Sequence, residues 1–384
     1  MTVNQVATTV NAVQKQIIGE EAIQTVDLEG LIDMGKQVLD ATSYDNYVKT
    51  LVDHIGKVVF VDRAYAGSAP SVLMDGWEYS AILEKISSEM PEATTNPSWQ
   101  LTNGQSYDQN VFNAPKAEAK FFSSRVTFEI DQSITEMQVK SAFSSAAQMN
   151  GFISMILGQI EKSFTVKLDA LIMQTINNMI CETLYNYNSE GTYTGTGNAR
   201  AVNLLARYNA QFTKTLTAEQ AIYDKDFLRY AAYVMGLYEE RLRSMSTLFN
   251  VGGKQRFTPS DRLHVVMLAE FKSGVATYLQ SDTYHDQYVA LPRAEGVPFW
   301  QGSGTDFAFT STSDIHIKTA EGNEVTAAGI LGVMFDRDAL GVSNMNRRTT
   351  THYNAKAEFT NYFYKMDAGY FNDLNENFVV FYVA

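Results

Sequence analysis

Residues 138–187 read QVKSAFSSAAQMNGFISMILGQIEKSFTVKLDALIMQTINNMICETLYNY and contain no proline. Within them an apolar side chain recurs at every fourth position: Phe152, Ile156, Ile160, Phe164, Leu168, Ile172, Ile176, Ile180 and Leu184. Spacing by four is the ridge of an α-helix. A helix of this length would span about 65–75 Å, whereas a compact sphere of this chain length has a diameter of about 55 Å. The stretch therefore predicts a flat, elongated subunit, a shape suited to tiling.

The spacing also predicts several partners for this helix. A strict step of four moves the apolar stripe about 40° around the axis at each repeat. A helix packed on one sheet keeps its stripe on one side, so we expect this helix to meet different elements along its length. The alternative is two shorter helices broken at Gly151 and Gly158, each glycine costing about 1 kcal/mol relative to alanine. Neither glycine is followed by proline or by a cluster of turn residues, which favours one helix.

The composition favours a subunit that buries much of its surface in an assembly. Of the 384 residues, 45% are hydrophobic and only 19% are charged, below the usual value of about 25%. A net charge of −13 argues against a protein that grips phosphate backbones. The single cysteine, Cys181, cannot form an internal disulfide and fits a reducing cytoplasm. We find no signal peptide and no apolar run long enough to span a membrane.

Catalytic and metal-binding motifs are weak, and we predict no enzyme activity, no cofactor and no metal site. Gly252-Gly253-Lys254-Gln255 lacks the first glycine and the Ser/Thr of a phosphate loop. Gly302-Ser303-Gly304 lacks the spacing of a nucleophile elbow. The five histidines are scattered, with no pair at metal-ligand spacing: His54, His264, His285, His316 and His352. Two arginines, Arg347 and Arg348, would either touch DNA or, more in keeping with their setting, form salt bridges at a subunit edge.

The segment between Ala66 and about Lys120 is the least compatible with a compact domain. It is polar and irregular and contains four prolines and two tryptophans, Trp77 and Trp99. Loops of this length are uncommon inside domains, and two strand-like pieces, Glu78–Ile86 and Val111–Phe122, predict a two-stranded ribbon that reaches away from the body. Because such a ribbon is marginally stable alone, we expect Trp77 or Trp99 to anchor it on a neighbouring subunit. Packing of both tryptophans within the ribbon's own fold is the alternative.

The rest of the chain predicts an α+β protein. Lys57–Tyr65 is a predicted strand, and Val126, Phe128 and Ile130 alternate as a strand that leads into the long helix. The following block has helices and strands predicted at 226–250, 262–268, 269–279, 297–300, 314–318 and 329–335. In the tail, alternation of Tyr353, Ala355, Ala357 and Phe359 predicts a strand, and Phe378–Val383 predicts a buried strand paired near the long helix and Lys57–Tyr65.

This order of elements resembles the major capsid proteins of tailed bacteriophages, which have the Hong Kong 97-type fold. The stretches that carry the resemblance are DNYVKTLVDHIGKVVFVD (45–62), KAEAKFFSSRVTFEIDQSI (116–134), RLHVVMLAEFKSGVATYL (262–279), GVPFWQG (296–302), GILGVMFDRDALGV (329–342) and RRTTTHYNAKAEFTNYFYKMDAGYFNDLNENFVVFYV (347–383). It implies an N-terminal arm (1–45), a P-domain strand (46–65), an extended E-loop ribbon (66–128), P-domain with the spine helix (129–190), an inserted α/β A-domain (191–342) and returning P-domain strands (343–384). Lys116 and Lys120 are positions for the Lys–Asn crosslink of some relatives, but no matched Asn and acid accompany them.

The resemblance also implies a function. Copies would assemble as pentamers and hexamers into an icosahedral head around double-stranded DNA, touching the DNA only weakly, with a separate scaffolding protein and a portal as further partners. The location would be the virion capsid, assembled in the cytoplasm of the host bacterium. An encapsulin-type bacterial nanocompartment shell is the alternative within the same fold. An acidic surface adhesin or an unrecognised hydrolase would also fit the composition.

Overall fold

The computed structural model describes residues 72–74, 83–135, 146–188, 195–282, 294–300, 315–318, 322 and 324–384. Several parts of the sequence analysis lie outside these residues: the arm at 1–45, the strand at Lys57–Tyr65, Trp77, His54, His285 and Gly302-Ser303-Gly304.

One uninterrupted helix, α1, runs from Ala146 to Tyr187. Its 42 residues correspond to about 63 Å, more than the diameter of the compact sphere. Gly151 and Gly158 lie inside it, so the prediction of a single helix is confirmed and the two-helix alternative is wrong. Its composition explains the continuity, since Ile, Leu, Met, Gln and Lys all form helices readily.

A four-stranded sheet covers one side of α1. Its strands, in spatial order, are β1 (Leu73–Met74), β11 (Leu340–Asn354), β12 (Phe359–Asn372) and β4 (Arg125–Thr135). β11, β12 and β4 are antiparallel, and β1 joins β11 in parallel. Exposed and covered residues alternate along β4, as the spacing of Val126, Phe128 and Ile130 predicts.

A sharp turn between β11 and β12 replaces the strand that we predicted through Tyr353–Phe359. The side-chain oxygen of Asn354 accepts from the backbone N–H groups of Lys356 (3.0 Å) and Ala357 (3.3 Å), and Glu358 takes a left-handed conformation with φ 52°. An Asn side chain that binds the backbone two residues on favours a turn over a strand. The alternation predicted there is therefore wrong.

A five-stranded mixed sheet forms the second layer. Its spatial order is β5 (Ala201–Asn203), β13 (Phe378–Tyr382), β10 (Ile330–Asp336), β6 (Leu263–Leu268) and β7 (Glu295–Val297). Four helices belong to the same part of the chain: α2 (Leu204–Phe212), α3 (Ala218–Ala221), α4 (Lys225–Leu242) and α5 (Ala269–Asp282). Every residue of β10 and β13 is buried, as expected for central strands.

Two predictions about this second layer are wrong, and a third is tested only in part. The last strand, β13, contacts α1 as expected and pairs with β10 and β5, whereas the other expected neighbour, Lys57–Tyr65, lies outside the described residues. The strand predicted at Val297–Trp300 is displaced, because Trp300 is buried outside a strand and its indole N–H donates to the carbonyl of Ile330 at 2.7 Å. The helix predicted to Asn250 ends at Leu242, whose carbonyl accepts from the N–H of Thr258 at 2.7 Å.

The long helix joins the two layers. α1 contacts β11 and β12 of the first sheet and β13 of the second. Between Ala170 and Leu184 it is buried on nearly all sides, for example at Ile172, Ile176 and Ile180. This agrees with the prediction that the helix meets several partners. Two two-stranded sheets complete the described part, β2 (Leu83–Ser88) with β3 (Ala117–Phe122) and β8 (Ile315–Lys318) with β9 (Glu324–Ala327). No helix in the described ranges is both long and apolar enough to cross a membrane.

Candidate assembly interface

The ribbon, residues 83–122, is the part of the described chain with no core of its own. β2 and β3 pair antiparallel, with Lys85 opposite Lys120 and Leu83 opposite Phe122. Val111–Lys116, which we predicted as strand, is irregular. Every residue from Ser88 to Ala119 is exposed. Hydrogen bonds of the loop between the strands are local, such as the N–H of Ser98 to the side chain of Asn96 (2.8 Å).

The two strands of the ribbon lie against the body and are held there by ion pairs. Lys85 Nζ lies 2.8 Å from Asp373 Oδ2 and 2.7 Å from Glu376 Oε1. Lys120 Nζ lies 2.9 Å from the other oxygen of Asp373. We call these four residues the root cluster. Because alternate residues of a strand face the same side, this register turns both lysines towards the body.

Two further contacts extend this attachment in both directions. At one end Phe122 packs against Phe371, with ring centroids 5.3 Å apart. At the other end Lys254 Nζ lies 2.9 Å from Glu89 and 3.2 Å from Glu118. The charges are thus reciprocal: ribbon lysines meet body carboxylates, and a body lysine meets ribbon carboxylates. The ribbon leaves the body only beyond Glu89 and Glu118, the residues that contact Lys254. The expectation that the whole ribbon reaches away is therefore wrong for its paired strands.

The root cluster lowers the pKa of Asp373. Burial alone would raise the pKa of Asp373, but hydrogen bonds from Lys85 and Lys120 outweigh it, and the pKa lies below its ordinary value. The N–H of Asn375 adds a hydrogen bond to the same carboxylate (3.0 Å). At the exposed end, the hydrogen bond with Lys254 lowers the pKa of Glu89, and carboxylates raise the pKa of Lys254. Asp373 is therefore held as a carboxylate at neutral pH.

The ribbon exposes large apolar side chains. The side chain of Trp99 is 96% exposed and that of Phe112 is 86% exposed. Trp99 ends a short 3-10 helix, Pro97–Trp99, which Asn96 caps through its side chain. The other exposed apolar residues of the ribbon are Ile86, Met90, Leu101, Tyr107, Val111 and Phe121. No residue in the described ranges covers Trp99. The anchoring role predicted for Trp77 and Trp99 stays a prediction.

The comparisons with known proteins decide the family. Residues 10–382 match the family model of the Phi29-like phage major capsid protein. The chain belongs to this family. The capsid protein matches no curated protein. The resemblance to tailed-phage major capsid proteins inferred from the sequence is thereby confirmed, and the family is one of structural proteins rather than enzymes.

Solved structures agree with this assignment at the level of fold. A chain in the structure described as "Capsid structure of Staphylococcus phage Andhra" is 12% identical, with a TM-score of 0.51 over 84% of this capsid protein and 86% of that chain. A chain in "Structure of head fiber and inner core protein gp22 of native bacteriophage P68" is 8% identical, with a TM-score of 0.52 over 85% and 86% of the two chains. At such identities the likeness shows a shared fold, which is the α+β fold of phage capsids.

The root cluster was not identified from the sequence of this capsid protein. Lys85 and Lys120 lie far apart in the chain, and only the register of β2 with β3 brings them together. Asp373 and Glu376 lie in the turn between β12 and β13, where acidic residues are ordinary. The sequence around the two lysines carried no signal of this pairing, because which face of the ribbon they share follows from the register of β2 with β3.

Residues of the Gly252–Gln255 motif and Arg347, which the sequence analysis considered as functional candidates, contact other residues of the same chain. Lys254 is paired with carboxylates, and a Cβ on Gly252 would lie 2.0 Å from the side-chain oxygen of Asn375. Arg347 pairs with Glu161 at 3.3 Å, and its guanidinium stacks on the ring of Phe164.

Two further candidates, Arg348 and His264, have partners within the chain. Arg348 pairs with Asp367. Outside these candidates, Glu239 and Glu240 near the end of α4 pair with Arg243. His264 stacks on Phe335, and burial lowers the pKa of its imidazole. Among the described residues, no group of three or more His, Cys, Asp and Glu is placed to hold a metal ion.

Proposed function

We propose that this major capsid protein assembles as pentamers and hexamers into an icosahedral shell that encloses double-stranded DNA. In this proposal the ribbon is the E-loop, α1 is the spine helix, the four-stranded sheet belongs to the P-domain and the α/β unit around the five-stranded sheet is the A-domain. Because β13 lies in that five-stranded sheet, it would belong to the A-domain rather than to the returning P-domain strands at 343–384. A separate scaffolding protein and a portal are the further partners, and assembly takes place in the cytoplasm of the host bacterium.

The observation that carries the proposal is the ribbon. Every residue from Ser88 to Ala119 is exposed, and this segment includes Trp99 and Phe112. Large exposed apolar groups on a segment that is attached firmly at one end are typical of an interaction surface. In a family of capsid proteins, the surface that would cover them is another copy of the chain.

The charge of the chain supports enclosure with weak contact to DNA. A net charge of −13 gives little affinity for the phosphate backbone, which binds through clustered Lys and Arg. Arg347 and Arg348, the candidates for DNA contact, are paired within the chain with Glu161 and Asp367. A wall of this charge would let packaged DNA move against it.

The architecture also supports reversible assembly. A subunit that extends a ribbon to a neighbour and receives one in turn makes several moderate contacts. Linked contacts act at high effective concentration once the first has formed, so a closed shell is stable while early errors still dissociate.

The direct test is to express the chain with and without the genes beside it in its genome. Size-exclusion chromatography and electron microscopy would then report the species formed. We expect large, closed particles of uniform size, at least when the scaffolding partner is present. A stable monomer or small oligomer under both conditions would contradict the proposal.

The tryptophans test the role of the ribbon within this function. We predict that Trp77→Ala or Trp99→Ala lowers the yield of particles, because aromatic anchors often dominate interfaces and their truncation costs about 2 kcal/mol or more. Gln109→Ala, at an exposed polar position of the same loop, is the matched control and should assemble normally. Yields would be measured by sedimentation of particles, and normal shells from both tryptophan variants would rule out the anchoring role.

A further inference from the structure

The dipeptide Asn-Gly occurs twice in the chain, at 103–104 and at 150–151. This dipeptide is chemically reactive, because the backbone nitrogen of the glycine can attack the side-chain carbonyl of the asparagine and close a five-membered ring. Glycine favours the attack, since it has no Cβ to hinder the approach and its backbone reaches conformations that other residues avoid. The two copies lie in different local structures, and we compare them in turn.

The first copy forms a tight turn in the ribbon loop, residues 90–115. The N–H of Gln105 donates to the carbonyl of Thr102 at 3.2 Å, so Asn103 and Gly104 are the two central residues of the turn. Gly104 has φ 83° and Asn103 has no positive φ, which is the combination of a type II turn. The peptide group between the two central residues takes no part in the hydrogen bond of such a turn.

Both reacting groups at this turn are accessible. Asn103 and Gly104 are exposed, and among the residues that the structure describes, no hydrogen bond holds the side chain of Asn103 or the N–H of Gly104. A Cβ built on Gly104 would have no atom within 4 Å, so no neighbouring group obstructs the backbone rotation that ring closure needs. The 3.2 Å hydrogen bond of the turn is at the long end of the normal range.

The second copy is held in a helix. Asn150 and Gly151 lie in the second turn of α1. In an α-helix each N–H donates to the carbonyl four residues before it, so the nitrogen of Gly151 is engaged with the carbonyl of Ala147. Attack by this nitrogen would first require the helix to open. The structure therefore protects this copy and leaves the first one free to react.

We propose that Asn103 is a site of spontaneous covalent modification that needs no enzyme. The backbone nitrogen of Gly104 forms a bond to the side-chain carbonyl carbon of Asn103, and the bond from that carbon to the side-chain nitrogen breaks. The side-chain nitrogen leaves as ammonia, with the proton that the backbone nitrogen gives up. Water then opens the resulting succinimide ring at either of its carbonyls, which leaves an aspartyl or an isoaspartyl residue in a continuous chain.

The other asparagines of the ribbon loop are less suited to this reaction. Asn96 precedes Pro97, which has no N–H to give up, and its side chain accepts from the N–H of Ser98 at 2.8 Å. Asn110 and Asn113 precede valine and alanine, whose Cβ atoms hinder the approach of the backbone nitrogen. The reaction is therefore specific to one of the four asparagines of this loop.

The modification changes the charge and the shape of the ribbon loop. The loop contains Glu92 and Asp108 and no Lys or Arg, so a further carboxylate makes it more acidic. An isoaspartyl linkage also adds one carbon to the backbone, which alters the turn at Asn103 and Gly104. The root cluster, which attaches the ribbon to the body, lies outside this loop. The reaction therefore alters an exposed surface of the chain and leaves its attachment intact.

Peptide mapping by mass spectrometry tests this proposal. The native chain is incubated at pH 8 and 37 °C, and samples taken over several days are digested with trypsin. The tryptic peptide 86–116 contains all four asparagines of the ribbon loop, and the peptide 141–162 contains the helical Asn-Gly copy. We expect conversion at Asn103 to be about tenfold or more faster than at Asn110, at Asn113 or in the helix. A sample digested without incubation measures the conversion that digestion itself causes.

Two controls separate the effect of the turn from that of the dipeptide. In urea Asn103 and Asn150 should react at similar rates, because the helix no longer protects Asn150. Gly104→Ala should slow conversion at Asn103 about tenfold, since the added Cβ hinders the attack.

The proposal is wrong if the native chain converts Asn103 no faster than Asn110 and Asn113, or if Gly104→Ala reacts like the wild type. It is also wrong if Asn150 reacts as fast as Asn103 in the native chain. Rates that stay different in urea would show that the helix is not what protects Asn150, and would contradict the structural argument.

Discussion

At the scale of single residues, Asp373 is the residue on which the position of the ribbon most depends. It is nearly fully buried and accepts from Lys85, from Lys120 and from the N–H of Asn375. A buried carboxylate is costly unless charged groups and hydrogen bonds satisfy it. Lys85 and Lys120 of the ribbon provide the opposite charge and the hydrogen bonds that the carboxylate needs. The ribbon and the body therefore stabilise each other.

We predict that Asp373→Asn destabilises the chain and that the effect depends on pH. The free energy of unfolding should fall by about 2 kcal/mol at pH 7. This is below the usual range for breaking a buried ion pair, because the lysines are partly solvated. The folded-state pKa of Asp373 lies below its unfolded value of about 4. Its stabilisation is therefore present above pH 4 and is lost as the pH falls through the folded-state pKa.

Urea unfolding of the unassembled chain at several pH values would measure this difference. The difference in the free energy of unfolding between wild type and Asp373→Asn should become smaller at acidic pH. Glu240→Gln, at an exposed ion pair, should cost less than about 0.5 kcal/mol at every pH. The role assigned to Asp373 would be contradicted if wild type and Asp373→Asn had the same free energy of unfolding at pH 7. It would also be contradicted if the difference between them grew at acidic pH.

Cys181 provides a second residue-scale prediction. It is fully buried in α1, and burial together with the nearby Glu182 raises the pKa of its thiol to about 12. A protonated, inaccessible thiol does not react with maleimides. We expect no labelling of the native chain at pH 7.5 and complete labelling in urea, as measured by mass spectrometry. Rapid labelling of the native chain would show that α1 opens.

At the scale of elements, α1 was the easiest feature to predict, because a long periodic pattern without proline permits few alternatives. The turn after Asn354 was harder, since the apolar alternation of Tyr353 and Phe359 continues through it. The pairing of β13 with β10 and β5 also escaped prediction. A continuous apolar strand indicates burial but does not identify its neighbours.

The long helix gives a prediction at this scale. Ile176→Ala, at a position with no exposed surface, should lower the free energy of unfolding by about 2–5 kcal/mol through lost contacts and a residual cavity. Val166→Ala on the same helix is the control, since Val166 is 42% exposed and alanine favours helix. Urea unfolding would compare the two. Equal effects would contradict the greater contribution of the buried position Ile176.

At the scale of the whole molecule, stability and assembly are carried by different parts of the chain. The hydrogen bonds of the ribbon loop are local, such as the N–H of Thr102 to the hydroxyl of Tyr107 (3.2 Å) and the N–H of Asn110 to Asp108 (2.8 Å). The root cluster lies outside this loop. The fold therefore does not depend on the loop.

We predict that replacing residues 91–114 with an Asn-Gly turn leaves the fold intact and abolishes assembly. The free energy of unfolding should change by no more than about 1 kcal/mol, because a shorter loop changes closure entropy only slightly and Asn-Gly suits a two-residue hairpin. Thermal unfolding and sedimentation would test the two halves of the prediction. Particles from this variant would show that other surfaces suffice for assembly.

The candidate interface was only partly predictable from the sequence. Sequence alone indicated a ribbon that lacks a core, because long polar segments with isolated aromatic residues do not fit inside domains. It did not indicate how the ribbon attaches, since Lys85, Lys120 and Asp373 are ordinary residues until the strands take their register. Contacts between distant charged residues depend on three-dimensional placement, which local patterns do not encode.

The position of β13 also bears on how the chain is made. Translation delivers this strand after the other four of its sheet, yet it lies between β5 and β10. A nascent chain must therefore keep the two flanking strands apart, or unpaired, until Phe378–Tyr382 has been synthesised. A product of premature termination would lack the strand that joins them. We therefore expect a chain that ends before Phe378 to leave β5 and β10 without the strand between them.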